Sequence, residues 1–259
     1  MLGTTSYARQ SELPGRHSPG GVRPEHAKTD FPWAAGSADG SMEVMMTRLD
    51  VPPAEVRAAA ALLTDAERQK AARKIFEHDR RRFIVARARL RQVLGKRLGV
   101  RPEAVELEYG EHGKPALAQP FAASGLRFNV SHCDDVAAYA ISRGREIGVD
   151  VETVREMPDA DEIAARFFSR DENEQYQALA PGDRPLGFFN CWTRKEAFIK
   201  ALGDGLSYPL NRFDVSLAPD APARILRVET TAGDDCGWTL HSFLPAPGVV
   251  GAVVVREDL

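Results

Sequence analysis

Between residues 79 and 98 the apolar side chains Phe83, Ala86, Leu90 and Val93 or Leu94 recur every three to four positions with arginines beside them. That spacing predicts an amphipathic helix with one buried stripe. Ahead of it, EVMMTRLD from Met42 has strand character, and VPPAEV leads into a helix whose start signal is Thr64-Asp65-Ala66-Glu67, a capping box. From 103 to 153 the period falls to two. AVELEYG, LRFNVSH, VAAYAIS and EIGVDVETV read as strands separated by Gly, Pro and Asp turns. The rhythm then repeats, with helices near 159–168, 171–179 and 185–202 and strands near 213–217, 224–230, 237–243 and 248–255.

Helices followed by antiparallel strands, twice over, predict an α+β fold of two similar halves, 42–145 and 146–259. Residues 1–41, rich in Gly, Pro, Ser and charge without periodicity, read as an extension with little structure of its own. The late apolar run VVGAVVV at 249–255 is far shorter than the ~20 residues of a membrane helix. No apolar leader segment opens the chain, so a soluble cytoplasmic protein with no membrane partner is expected.

Composition changes this picture in one respect. The overall balance, 43% hydrophobic with a net charge of −3, is ordinary and gives no global attraction to nucleic acid. Its distribution is uneven: residues 67–101 carry thirteen Lys/Arg against three acids, whereas 146–174 carry ten acids against three Arg. A basic region facing an acidic one suits an anionic ligand held beside a divalent cation. Cys133, Cys191 and Cys236 are odd in number and lack CxxC spacing, which argues against a disulfide framework or a zinc site.

The acidic region holds the chemistry. In IGVDVE (147–152), alternation places Asp150 and Glu152 on one strand face with Val149 and Val151 behind. Adjacent carboxylates repel unless solvent or a cation separates them. On a helical wheel Glu196 shares an arc with Phe189, Trp192, Ile199 and Gly203, which is costly for a carboxylate unless it is paired or metal-bound. With Asp150 and Glu152 it would supply three oxygen ligands for Mg²⁺; the competing reading is a surface pair with Lys200 one turn on. GKPAL (113–117) places a cation on a constrained turn, and FNVSHC (128–133) ends a strand with Ser131 and His132, both able to contact phosphate. Glu172 reads most simply as a solvated helix start, with outer metal ligand or partner-side residue as alternatives. Phe167, Phe168 and Trp192 read as packing residues. No Walker A, dinucleotide-binding or HExxH pattern occurs.

GKPAL, FNVSHC, IGVDVE, RFFS (166–169) and WTRKEAFIKALGDGLS (192–207), in this order, resemble the Sfp-type 4′-phosphopantetheinyl transferases. A looser resemblance runs from about residue 43 to the end. It implies a pseudo-twofold fold with coenzyme A in the cleft between the halves. The implied reaction moves phosphopantetheine to a serine hydroxyl of an apo acyl or peptidyl carrier protein and releases adenosine 3′,5′-bisphosphate. By the same resemblance Asp150, Glu152 and Glu196 hold Mg²⁺, or Mn²⁺, and Glu196 is the general base. Lys200 contacts the diphosphate and protonates the leaving group, Ser131 and His132 contact phosphate, and Lys114 with Pro115 forms the wall beside the adenine. Arg82, then Lys70, correspond to the 3′-phosphate contacts, while Glu67 stands where some members have a lysine. A monomer is expected. Two other readings remain at this point: a carrier-binding module without activity, and a Mg²⁺-dependent phosphotransferase using a nucleotide.

Overall fold

The computed structural model describes residues 30–31, 42–110, 113–203, 208–229 and 237–257. Cys236, the stretch 204–207 and all of the extension except 30–31 lie outside these residues. In the first half, β1 (Asp30–Phe31) lies beside β2 (Met42–Arg48), which is followed by α1 (Pro53–Ala61), α2 (Asp65–Ala72) and α3 (Glu77–Leu98). A hairpin of β3 (Leu107–Tyr109) and β4 (Pro115–Leu117) precedes β5 (Leu126–Cys133) and β6 (Val136–Arg143). The second half opens with β7 (Ile147–Thr153) and continues through α4 (Ala160–Phe167), α5 (Arg170–Ala178) and α6 (Arg184–Leu202). It closes with β8 (Phe213–Val215), β9 (Ile225–Val228), β10 (Trp238–Ala246) and β11 (Val249–Arg256).

The two halves share a connection rule. In the first, β2 pairs antiparallel with β6, the last strand, and β6 with β5. In the second, β7 pairs with β11, again the last strand, and β11 with β10. A long helix follows the opening strand in each case. The expected mixed fold of two similar halves with antiparallel sheets is therefore present.

Alternation builds three apolar layers from these strands. Tyr139 and Ile141 of β6 pack with Leu90 and Leu94 of α3, while Ala138 and Ala140 turn to the other face. There they meet Ile147, Val149 and Val151 of β7 and Val253 of β11, so the sheets bury their backs against each other. Small and β-branched side chains permit that close contact. The opposite face of β11, through Val250, Ala252 and Val254, packs with Phe198 and Ile199 of α6.

Several local expectations change. The first helix is two, α1 and α2, separated at Leu62–Thr64; the Thr64/Glu67 capping box starts the second, with Thr64 N donating to Glu67 Oε2 at 2.9 Å. The buried stripe of α3 runs through Val85, Ala88, Leu90 and Leu94, leaving Phe83 on the half-buried side. Of AVELEYG (104–110) only Leu107–Tyr109 is strand, and its first residue, Ala104, ends a 3₁₀ turn, Pro102–Ala104, in which Pro102 sets φ for a turn and lacks a ladder donor. Pro115 and its neighbours, read as a turn, form strand β4.

Candidate active site

The alternation of β7 places the acids as anticipated. Val149 and Val151 enter the layer between the sheets, so Asp150 and Glu152 project toward α6. That helix comes very close to the strand. A Cβ on Gly148 would stand 2.1 Å from the Ala197 carbonyl oxygen and 2.3 Å from the Ala201 amide nitrogen. The missing side chain therefore sets how near Glu196 and Lys200 come to Asp150. Gly148→Ala should force α6 outward, costing about 1–3 kcal/mol as overpacking does. Thermal unfolding checks this, and an unchanged melting temperature would contradict it.

Asp150 is the centre of the polar cluster. Its Oδ1 accepts from Lys200 Nζ at 2.6 Å and from Ser131 Oγ at 2.8 Å. Ser131 Oγ also accepts from Lys200 Nζ at 3.3 Å and from the Val151 amide at 3.4 Å. Two residues earlier on β5, Asn129 Oδ1 accepts the Val149 amide at 2.9 Å. Side chains of β5 thus satisfy the free edge of β7 where no backbone ladder joins the two sheets.

The carboxylates feel each other. Burial and then the charge of Asp150 push Glu152 up to about 7, against the opposing pull of Arg155, whose Nη1 is 3.7 Å from Glu152 Oε2. Glu196 is likewise pushed up to about 7, first by burial; Lys200 pulls it down, and Asp150 and Glu152 add to the rise. Burial opposes the charge on Lys200, but Asp150 and Glu196 outweigh it and hold the ammonium above its ordinary value. Crowding, then the ammonium groups of Lys200 and Lys74, keeps His132 below the ordinary imidazole range.

Three hard oxygen donors that repel one another suit a divalent cation. Asp150 Oδ2 supports that fit: it is buried and has no hydrogen-bond partner. The side chains do not stand as a ready-made cage, since no three His, Cys, Asp or Glu groups among the described residues are gathered around one ion position. Lys200 provides the positive charge at Asp150 in this arrangement.

The structure also revises the placement of charged residues on α6. Phe189 and Ile199 are buried as expected, but Trp192, Glu196 and Lys200, spaced by four, form the half-buried stripe of the helix. The fully buried charge is the neighbouring Lys195. Its Nζ donates to Glu172 Oε2 at 2.7 Å, Leu210 O at 2.7 Å and Phe213 O at 2.6 Å. Glu172 is not a solvated helix start: it is completely buried, caps α5 through Ser169, and accepts the Val215 amide at 2.7 Å. Its oxygens are engaged by these groups, which leaves it a structural anchor. The spacing Ser169-x-x-Glu172 was a legible capping box.

The basic residues divide. Lys114 Nζ donates to the Lys200 carbonyl at 2.6 Å, which brings GKPAL to the end of α6. Pro115 lies across the hairpin from Tyr109. Arg82 is taken up by Asp50, through Nε at 2.9 Å and Nη2 at 2.7 Å. Lys70 faces the rings of Phe83 and Tyr109. Glu67 is internal, holding Arg91 Nε at 2.8 Å as well as its cap.

Residues 146–253 match the 4′-phosphopantetheinyl transferase superfamily, and residues 51–143 match a second family described as 4′-phosphopantetheinyl transferase, N-terminal. The chain is 38% identical to the 4′-phosphopantetheinyl transferase HetI of Nostoc sp. over 207 residues, covering 80% of this chain and 84% of the relative. It is 37% identical to the 4′-phosphopantetheinyl transferase AcpT of Salmonella typhimurium, covering 60% and 77% of the two chains. To the 4′-phosphopantetheinyl transferase Sfp of Bacillus subtilis it is 29% identical, covering 64% and 71%.

Proposed function

The chain belongs to the 4′-phosphopantetheinyl transferase family, and from that premise we propose that it transfers the 4′-phosphopantetheine arm of coenzyme A to a serine hydroxyl of an apo carrier protein. The observation that carries this reading is the meeting of Asp150 and Ser131 with Lys200 where β5, β7 and α6 come together, flanked by the mutually repelling Glu152 and Glu196.

The serine oxygen of the carrier forms a bond to the β-phosphorus of the diphosphate. The bond from that phosphorus to the bridging oxygen breaks, and adenosine 3′,5′-bisphosphate leaves. Glu196, raised toward neutrality, is suited to take the hydroxyl proton, a contribution of roughly 10²–10⁴-fold. Lys200 gives one N–H to Asp150 and one to Ser131, keeping a third for an oxygen of the diphosphate and for protonating the leaving group. His132 and the Ser131 hydroxyl line the phosphate path, and Lys114 with Pro115 borders the adenine. Asp150, Glu152 and Glu196 are the residues that would hold Mg²⁺, with Mn²⁺ as substitute. When bound, such an ion neutralises charge developing on phosphoryl oxygens.

Within the family we place the chain with the Sfp-type members, on the two-half length and the motif order, and propose a cytoplasmic monomer acting on peptide synthetase or polyketide carriers. Among the described residues no helix is long and apolar enough to cross a membrane. Incubation with apo carrier, coenzyme A and Mg²⁺ should add one phosphopantetheine to the carrier by mass. A chelator should stop the gain and Mg²⁺ should restore it. Carrier capture without any mass gain would instead identify an inactive binding module.

A further inference from the structure

Lys200 is bonded at both ends to the first half of the chain. Its ammonium reaches Ser131 of β5 at 3.3 Å as well as Asp150 of β7 at 2.6 Å. Its backbone carbonyl accepts Lys114 Nζ at 2.6 Å, from the turn of the β3–β4 hairpin. The carbonyl is open to such a donor because of its place in α6. Gly203 ends the helix in the left-handed region at φ +86°, and the last carbonyls of a helix have no donor of their own. Ile199 O takes the Gly203 amide at 3.1 Å, and the next carbonyl, that of Lys200, takes the Lys114 ammonium. A cation there also meets the negative end of the helix dipole.

A closed turn presents Lys114 to that point. The Gly113 amide donates to Gly110 O at 2.9 Å and the Gly110 amide to Lys114 O at 3.0 Å, with Gly113 at φ +74°. The same stretch of α6 backbone is pressed against β7, since a Cβ on Gly148 would stand 2.9 Å from the Lys200 carbonyl carbon. The acid nearest Lys114 is a weaker partner: Glu146 Oε2 lies 3.9 Å away, and Arg127 Nε is 3.4 Å from its other oxygen. Burial holds the Lys114 ammonium below the ordinary lysine range, with Glu146 opposing and Arg127 adding to the fall. Among the described residues, the one short bond of this half-buried ammonium therefore goes to a helix end that carries a reactive side chain.

We propose that Lys114 is a positioning residue for the transfer: by binding the Lys200 carbonyl it fixes the end of α6 against β7, and so aims the Lys200 ammonium at Asp150 and the diphosphate. The assignment rests on the coenzyme A reading above. The Lys114 stem still borders the adenine in that reading, while its ammonium acts through Lys200 and not on the substrate. A contact between the halves thereby sets the geometry of the reactive lysine, and a misplacement of about 1 Å costs on the order of 10²-fold in rate.

The test compares Lys114→Met, Lys114→Arg and Glu146→Gln for transfer from coenzyme A. K114M should lower kcat roughly tenfold to a hundredfold and change KM for coenzyme A by less than about threefold, since the lost group acts through Lys200 and not in ground-state binding. K114R should recover most of the rate, because either cation can donate to the last carbonyls of a helix. E146Q, which loses only an exposed pair, should stay within about twofold of wild type. Adding Lys114→Met to Lys200→Met should bring no further loss, because the two act as a unit. A rise in KM at unchanged kcat, an E146Q as slow as K114M, or a full additional loss in K114M/K200M would overturn the assignment. Amide hydrogen exchange decides it without turnover. K114M should speed exchange at residues 200–203 while the first turns of α6 match wild type; equal rates in the last turn, or a uniform rise along the helix, refute the assignment. A wild type that transfers nothing from coenzyme A defeats the coenzyme A reading, and the exchange result then judges the contact by itself.

Discussion

Replacing Glu196 with glutamine is expected to reduce phosphopantetheine transfer by roughly 10²–10⁴-fold, the range for loss of a positioned general base, with further loss from the weakened ligand set. The fold should survive the change. In the native chain Glu196 carries an unfavourable charge, being crowded by protein and repelled by Asp150 and Glu152, so a neutral isostere relieves that tension and leaves the apolar contacts of α6 intact. The expected pattern is therefore a large fall in kcat with a melting temperature no lower than wild type. The proposed role fails if E196Q keeps more than about a tenth of the wild-type rate under saturating substrate and Mg²⁺.

Lys195→Met should do the reverse, striking stability first. Lys195 and Glu172 are both fully buried and 2.7 Å apart, and the lysine also ties two carbonyls, of Leu210 and Phe213. Removing the ammonium leaves Glu172 an uncompensated interior charge, a change that costs about 3–5 kcal/mol in comparable pairs. For a chain of this size each kcal/mol corresponds to roughly 2–4 °C, so the melting temperature should drop by about 6–20 °C. The double variant K195M/E172Q should regain much of the difference, because the amide brings no charge. A single variant melting within about 2 °C of wild type, or a double variant melting lower still, would show that the pair is not the anchor described here.

The sequence revealed some of these features and concealed others for definable reasons. Alternation along IGVDVE was enough to place Asp150 and Glu152 together, because strand period two leaves no other option once the valines are buried. The Thr64 cap was equally readable. The role of Gly148 was not, since it depends on which helix crosses that strand and how near. Lys195 was hidden for a similar reason: α6 is buried on most of its circumference, so wheel arcs do not separate inside from outside. The split between α1 and α2, and the capture of Arg82 by Asp50 thirty-two residues away, depend on tertiary contacts that local patterns do not encode.

The junction between β5 and β7 fixes more than the distance between the halves. Asn129 and Ser131 sit at alternate positions and address the alternate amides of Val149 and Val151. Sliding β7 by a single residue would offer those two acceptors the amides of the opposite pleat and rotate the acids away from α6. The register of the reactive strand is thus written into two small polar side chains on a different strand, and the halves can close correctly in one alignment alone.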